Sequence, residues 1–424
     1  MVSSTAVVLL VIGLIVGAGV GYGISAAVAP STSATKTITI GALEPLTGGG
    51  DAIYGISFNQ AVELAVDQMN ANLSAAGNKI QFAVATADDM GSPSVAATAL
   101  ASLYSTDHIQ VVIGPLTSAE VQGVLSTADT DHIVVLPPAS TATSLEFPRS
   151  TSNYLVRPGQ PGDQYEGAAL AQTVIQLGAK NVVYLYRDDT SESGTYNYSS
   201  ALMTTAGLKV DGIEFQPSQT SYSAQVTTAS SDAQNFLSSG GTTSNTVVIC
   251  ACDEVTEDEN IFTNAMSSTY LSSIKWFGIE AIDTPSLYAT APWGPWMQSV
   301  NFTMTTPATF ASPQYTYFNS TFYAKYGTVP QPYSNYAYDN AWIAMIAILM
   351  AGGNNNGADI LSTVYLAADH FFGSTGTGVW LDNNNEQTFA YYNVVEVVPS
   401  GTTETTIQIG SYNGATNTVT LTGG

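Results

Sequence analysis

Two apolar stretches of the sequence end in small hydroxyl residues. Residues 111–118 read VVIGPLTS and residues 134–145 read VVLPPASTATSL, so two strand-like runs stop in Ser, Thr, Gly and Pro with few charges nearby. Hydroxyl groups and backbone amides, particularly at a helix N-terminus, can bind an anion without a cation. The pattern predicts that the two strand ends form one wall of a cleft for a small polar molecule.

Four candidate site residues, two in these stretches and two elsewhere in the sequence, also have a purely structural explanation. Ser118 could cap a helix that starts at Ala119, and Thr141 could stabilise a turn. Glu280, which follows the run KWFG, could be a solvated loop carboxylate. Tyr54, in the segment GGGDAIYG, could be an exposed tyrosine in a chain that has 23 of them. The residues alone leave both interpretations open.

Residue types that carry out catalysis are scattered. None of His108, His132 and His370 has a partner at a metal-ligand spacing, and the motifs GxSxG and HExxH do not occur in the sequence. The segment GSTGTG at residues 373–378 contains no Lys and no Ser or Thr placed for magnesium, which favours a flexible turn over a nucleotide loop. We therefore expect no enzyme activity, no metal site and no cofactor.

The two cysteines, Cys250 and Cys252, lie in the apolar segment TVVICACDE. On a strand both side chains would point to the same face, but the geometry of residues two apart is poor for a disulfide bond. Two cysteines alone cannot complete a zinc site. We expect buried free thiols.

The composition indicates a polar surface that is poor in charge. Hydrophobic residues make up 45% of the 424 residues and charged residues 10%; 9 Lys and Arg against 33 Asp and Glu give a formal net charge of −24. This charge repels nucleic acids and anionic lipids, which excludes a nucleic-acid function. Because so few cations remain when the carboxylates are protonated, we expect the fold to tolerate acid.

Residues 6–29 are uncharged and long enough to cross a bilayer. No basic residue precedes Lys36, so the positive region of a secretory signal is missing, and the segment favours an uncleaved membrane helix over a cleaved signal. Glycines at every fourth position, Gly13, Gly17 and Gly21, could let two such helices pack, which leaves self-association open. Residues 30–36, PSTSATK, are typical of a linker.

Four Asn-x-Ser/Thr sequons suit an extracytoplasmic glycoprotein, although several could arise by chance in a chain so rich in Ser and Thr. They are at Asn72, Asn197, Asn301 and Asn319. Together with the apolar N-terminal segment, they predict a cell-surface protein that is membrane-anchored or secreted.

Behind the linker, strand-like and helix-like segments alternate. TITIGALEPL, KIQFAVATADD, NVVYLYRD and TVVICACD are typical of strands, and helical spacing occurs at residues 55–70 and 92–105 and near 193–206, 222–239 and 258–267. Such alternation predicts largely parallel sheets covered by helices on both faces. Two series of this kind predict an α/β fold with two doubly wound lobes, in which ligands bind at the carboxyl ends of the strands.

The segment TITIGALEPLTGGGDAIYGISFNQAVELAVDQMN resembles the opening of the type I extracellular solute-binding proteins of ABC importers, in the branched-chain amino acid (leucine/isoleucine/valine) class. ADDMGSPSVAATAL, VVIGPLTS and VVLPPASTATSL resemble the next strand exits of that family, so the likeness is strong over residues 38–145. It implies two Rossmann-like lobes joined by three crossing segments, near Arg157–Gly162, Thr305–Ala308 and Gly373–Gly378. Lobe 1 would comprise residues 37–157 and 307–372, and lobe 2 residues 158–306 and 373–424, after a signal sequence or anchor at 1–29.

The same resemblance implies which residues bind the ligand. Ser118, Ala139 and Thr141 would hold the carboxylate of an amino acid, Glu280 its ammonium group, and Tyr54 its side chain. Lobe 2 departs from the family pattern after the strand NVVYLY and at Cys252–Asp253, so Ser193 or Asp189 and Asp253 are further candidates. These departures make a polar amino acid as suitable a ligand as leucine.

The resemblance therefore implies a protein that closes its two lobes around an amino acid or a similar small zwitterion and delivers it to an ABC permease in the membrane. The alternative is a structural or adhesive surface protein that keeps the fold and has lost transport. The low charge, the many Tyr and Asn residues and the possible helix pairing all permit this alternative.

Overall fold

A computed structural model of the chain describes residues 35–48, 51–252, 254–308, 312–369, 371–376, 378–388 and 390–422. The membrane helix predicted at residues 6–29 lies outside these ranges, as do Asp253 and His370. Within the described ranges, no helix is long and apolar enough to span a bilayer.

Strands and helices alternate along most of the chain. The strands are β1 (Lys36–Glu44), β2 (Ile80–Asp88), β3 (Val111–Ile113), β4 (Val134–Leu136), β5 (Asn181–Arg187), β6 (Lys209–Phe215), β7 (Thr246–Ala251), β8 (Lys275–Gly278), β9 (Thr303–Pro307), β10 (Tyr391–Ser400), β11 (Thr403–Asn413) and β12 (Thr418–Leu421). The helices are α1 (Ala52–Ala75), α2 (Pro93–Asp107), α3 (Ser118–Asp131), α4 (Asp163–Gln176), α5 (Glu192–Thr205), α6 (Ser223–Ser238), α7 (Val255–Met266), α8 (Pro285–Tyr288), α9 (Trp293–Ser299), α10 (Pro313–Tyr326), α11 (Ser334–Met350) and α12 (Gly357–Ala368).

The described chain forms two compact units. Unit 1 comprises the described residues of 1–140, 147–160 and 310–387, and unit 2 those of 141–146, 161–309 and 388–424. The third crossing between the lobes was expected at Gly373–Gly378. In this division residues 373–387 belong to unit 1, and the chain passes to unit 2 only after residue 387. The Asp339 carboxylate of α11 accepts the Ser374 and Thr375 N–H groups at 2.8 and 3.0 Å, which fixes this turn within unit 1.

Unit 1 contains a four-stranded parallel sheet in the order β2-β1-β3-β4. The short strands β3 and β4 read VVI and VVL and are buried throughout, as expected for strands that have both faces covered. The sequence AWIAMIAILM lies in α11, which is buried along almost its whole length and packs against this core. A helix that is apolar all round belongs in the interior of a domain.

Unit 2 contains an eight-stranded sheet in the order β12-β11-β10-β9-β8-β7-β5-β6. Strands β5 to β9 pair in parallel, as expected for a largely parallel sheet, whereas β9 to β12 pair antiparallel and form an edge that was not predicted. The reason is local: only two residues connect β10 to β11, and Gly401 supplies the positive φ of 66° that such a turn requires.

Candidate functional site

Two serine hydroxyls of unit 1 lie at the carboxyl ends of β3 and β4. Ser118 Oγ is 3.0 Å from Ser140 Oγ, and both residues are buried. Thr117 caps α3: its hydroxyl accepts the Glu120 N–H, while the Glu120 carboxylate accepts the Thr117 N–H. Ser118 is therefore not needed as the helix cap. Ser140 was not among the predicted site residues, although it lies in the segment VVLPPASTATSL.

A buried cation fixes the loop that carries Ser140. Arg157 is 1% exposed; its Nε lies 2.7 Å from Glu386 Oε1, and its Nη1 donates to the Ser140 carbonyl at 3.1 Å. Arg157 was predicted only to mark a crossing between the lobes. A single Arg beyond an apolar run gives no local signal of its partner, because Glu386 is distant in the sequence.

The other unit 1 candidates, Tyr54 and Ala139, are half-buried and pack against the hydrophobic core of that unit. This packing is compatible both with contact to a ligand and with a purely structural role.

Thr141 belongs to unit 2, whereas Ser118 belongs to unit 1. Thr141 Oγ1 lies 3.1 Å from Ser191 Oγ, and Ser191 donates to Asp163 Oδ1 at 3.0 Å. The Asp163 N–H donates to the Thr141 carbonyl at 2.9 Å, which closes this small network at the start of α4. The structure thus pairs Ser118 with Ser140 and Thr141 with Ser191.

Glu280 lies beside a second carboxyl group of unit 2. The Glu280 N–H donates to Oε1 of Glu166 at 3.0 Å, and the Thr305 hydroxyl donates to the same oxygen at 3.2 Å. The two side chains are also hydrogen-bonded to each other. Burial first, and then the neighbouring Glu280 charge, hold the pKa of Glu166 well above its usual value. Both effects favour the neutral form of the Glu166 carboxyl beside Glu280.

Ser193 and Asp189 lie at the end of β5 beside an unexpected cation. Ser193 Oγ donates weakly to the Arg187 carbonyl at 3.5 Å. The Arg187 guanidinium contacts Asp189, Glu254 and Glu257 at 2.9, 2.8 and 3.2 Å. Three carboxylates around one guanidinium leave this end of β5 net negative.

Unit 1 contains a second group of buried carboxyls, formed by Glu44, Asp89 and Glu120, all at most 1% exposed. Burial, followed by repulsion within the group, raises the pKa of Glu44 well above its usual value and the pKa of Glu120 to about 7. Burial also raises the pKa of Asp89 to about 6, although hydrogen bonds from Gly91 and Glu120 oppose the rise. This cluster was not predicted, because Glu44 ends β1, Asp89 follows β2 and Glu120 lies in α3.

The cysteines are not free thiols, contrary to the sequence analysis. Cys250 and Cys252 form a disulfide bond, with their Cα atoms 5.6 Å apart. This separation suits a disulfide, because β7 ends at Ala251 and the chain is no longer fully extended at Cys252. One ligand atom of Asp258 and both sulfurs lie within 4.8 Å of one another, but disulfide sulfurs are not thiolate ligands for a metal.

Residues 37–402 match the family described as periplasmic binding protein. Among curated relatives, an uncharacterized protein of Methanocaldococcus jannaschii is 27% identical over 190 residues, which are 44% of this chain and 45% of that protein. The Leu/Ile/Val-binding protein BraC3 of Rhizobium johnstonii is 29% identical over 214 residues, 48% of this chain and 54% of BraC3. The matches thus span about half the length of these relatives.

Solved structures share the fold at low sequence identity. The leucine-binding protein LivK of Thermotoga maritima superposes with a TM-score of 0.69 and 20% identity, covering 88% of this chain and 99% of LivK. A solute-binding protein of an ABC transporter from Rhodopseudomonas palustris, in complex with 3,4-dihydroxybenzoic acid, has a TM-score of 0.69 and 16% identity, covering 89% and 98%. At these identities the likeness shows the fold alone.

Proposed function

The chain belongs to the periplasmic binding protein family, and on that basis we propose that it binds an amino acid or a similar small zwitterion outside the cytoplasm and delivers it to an ABC permease. The family comprises solute-binding proteins rather than a class of enzymes. The observation that carries the proposal is the chemistry of two clusters, one in each unit. Unit 1 has the buried hydroxyl pair Ser118 and Ser140, and unit 2 has the carboxyl pair Glu166 and Glu280.

The hydroxyl pair suits the carboxylate of the solute. Each hydroxyl can turn its proton toward an anion, and Ser118 lies in the first turn of α3, where N–H groups favour negative charge. Hydrogen bonds to a charged group contribute about 1.5–3 kcal/mol each. Arg157 does not supply a net charge here, because Glu386 compensates its guanidinium. The hydroxyls and N–H groups would therefore bind the carboxylate as neutral donors.

The carboxyl pair suits an ammonium group and disfavours a solute that has none. Two neighbouring carboxyl groups favour a solute that carries a cation, and a simple aromatic acid brings none. This distinguishes the proposed ligand from 3,4-dihydroxybenzoic acid, which the Rhodopseudomonas palustris protein holds. Tyr54, Ala139, Thr141, Ser193 and Asp253 remain proposed contacts to the rest of the solute.

Export and attachment to the membrane belong to the same proposal. The family is extracytoplasmic, and the apolar segment at residues 6–29 would anchor this member. Asn72, Asn197 and Asn301 are exposed and Asn319 is half-buried, so three sequons have room for a glycan.

Thermal melting with the twenty amino acids tests the binding proposal. A solute at a hundredfold excess over its dissociation constant should add about 2.7 kcal/mol to stability. Glu280→Ala should weaken binding of the best solute at least about tenfold, or about 1.4 kcal/mol, by calorimetry. Ser118→Ala and Ser140→Ala should each have a similar effect.

Glu259→Ala, which removes a partly exposed carboxylate of α7 in unit 2, is the matched control and should bind normally. Unchanged affinity in Glu280→Ala would remove Glu280 from the site. If no amino acid shifts the melting temperature, and the protein instead isolates as ordered arrays, the structural surface protein becomes the better reading.

A further inference from the structure

Glu166 is hydrogen-bonded to both the backbone and the side chain of Glu280. Oε1 of Glu166 accepts both the Glu280 N–H and the Thr305 hydroxyl, so Glu166 is held by the residue that follows β8 and by β9. The Glu166 side chain is 3% exposed, and none of the ion pairs among the described residues includes it. A buried carboxyl with no cation favours its neutral form, which can then hydrogen-bond the neighbouring carboxylate.

We propose that Glu166 and Glu280 form one proton-sharing pair, that this pair binds the primary ammonium group of the solute, and that binding expels the shared proton to water. The inference rests on the proposed function and adds a residue that sequence analysis did not select. Glu166 is a positioning residue: it orients the Glu280 backbone and carboxylate and sets the charge of the pair. A solute without an ammonium group would not release a proton.

The proton balance follows from the charges. The unliganded pair holds one proton and one negative charge, which the O–H of Glu166 stabilises on the Glu280 carboxylate. An arriving ammonium group adds one positive charge, which favours ionisation of the second carboxyl. The products are two carboxylates beside one ammonium ion and one proton in water. No covalent bond to carbon or nitrogen changes.

The groups that face Glu166 do not offer a rival cation. Asp163 of α4 repels the charge of Glu166 and thereby raises its pKa further. Burial first, and then the neighbouring Glu166, raise the pKa of Tyr184 on β5, so that this phenol stays neutral. Thr305 of β9 contributes a neutral hydroxyl. None of these groups facing Glu166 is a cation, so the proposal takes the positive charge that favours ionisation from the solute.

Calorimetry of the full chain with L-leucine, in two buffers of different ionisation enthalpy at about pH 6.5, measures the protons released. The wild type should release a fraction of one proton per solute, approaching one, and its affinity should rise by up to about tenfold per pH unit. Glu166→Gln keeps the acceptor for the Glu280 N–H and a donor for its carboxylate. It should bind leucine but release almost no proton, and its affinity should be flat with pH.

Two controls test whether proton release depends on Glu166 and on the ammonium group of the solute. Asp283→Asn removes a half-buried carboxyl of unit 2, whose pKa partial burial raises to about 6, and should release protons like the wild type. 4-Methylpentanoate, which is leucine without its ammonium group, should bind weakly and release no proton.

An infrared difference spectrum tests the pair without any solute. The unliganded wild type at about pH 7 should show a protonated-carboxyl band that Glu166→Gln lacks. Absence of this band overturns the inference, as does leucine binding by the wild type without proton release. If neither leucine nor any other amino acid binds, the proposed function fails and the inference fails with it. Binding without proton release overturns the inference alone.

Discussion

Replacing Glu120 by Gln should change how the stability of unit 1 depends on pH. Glu120 lies in the buried cluster with Glu44 and Asp89, and its carboxylate also accepts the Thr117 N–H at the start of α3. Gln keeps that acceptor, because both Glu and Gln fit a capping box, and it remains neutral at every pH. Glu120→Gln therefore removes the ionisation of Glu120 while leaving the helix cap in place.

The sign and size of the effect follow from the pKa values. In the unfolded chain these carboxyls ionise near pH 4, whereas the folded protein holds the proton of Asp89 to about pH 6 and that of Glu120 to about pH 7. Because the folded protein binds these protons more tightly than the unfolded chain does, protonation of the cluster stabilises the fold. This contribution is complete below about pH 4 and is lost as the pH rises to about 7. A pKa raised from 4.5 to about 7 corresponds to roughly 3 kcal/mol at most for Glu120. The variant should thus be about 1–3 kcal/mol more stable than wild type near pH 8, and similar near pH 4.5.

Urea unfolding followed by circular dichroism at both pH values measures this difference, and hydrogen exchange in β1 and α3 locates it in unit 1. Asp107→Asn is the matched control, because Asp107 is an exposed carboxylate at the end of α2 in the same unit. Equal pH dependence of stability in wild type and Glu120→Gln would refute the reasoning. So would an equal flattening by Asp107→Asn, since that would make the effect one of overall charge.

Two further predictions concern a buried ion pair and the disulfide. Arg157→Gln should destabilise unit 1 by roughly 3–5 kcal/mol in urea unfolding, because Glu386 loses its guanidinium partner. The double variant with Glu386→Gln should recover part of that loss. Full stability of the single variant would contradict the pairing. The urea-denatured protein should show no thiol toward an aromatic disulfide reagent until a phosphine reduces Cys250–Cys252, and thiols detected before reduction would restore the free-cysteine interpretation.

Local patterns predicted most of the fold. The Ser92–Pro93 pair marked the start of α2, and runs such as VVI and TVVICA became buried strands because continuous apolar runs cannot stay in water. The antiparallel edge formed by β9 to β12 was not predicted. Its strands carry polar residues such as those of TETTIQIGSYN, which gives a weaker signal than a buried parallel strand.

For the candidate site, the sequence by itself determined which residue types end each strand, and so selected Ser118 and Glu280. Only the tertiary structure decided their neighbours: Ser140 beside Ser118, and Glu166 beside Glu280. The physical reason is that a residue's type is local, whereas its charge and hydrogen bonds depend on what folding brings near it. Glu166 precedes Glu280 by 114 residues, so neither sequence segment reveals that the two carboxyls lie side by side.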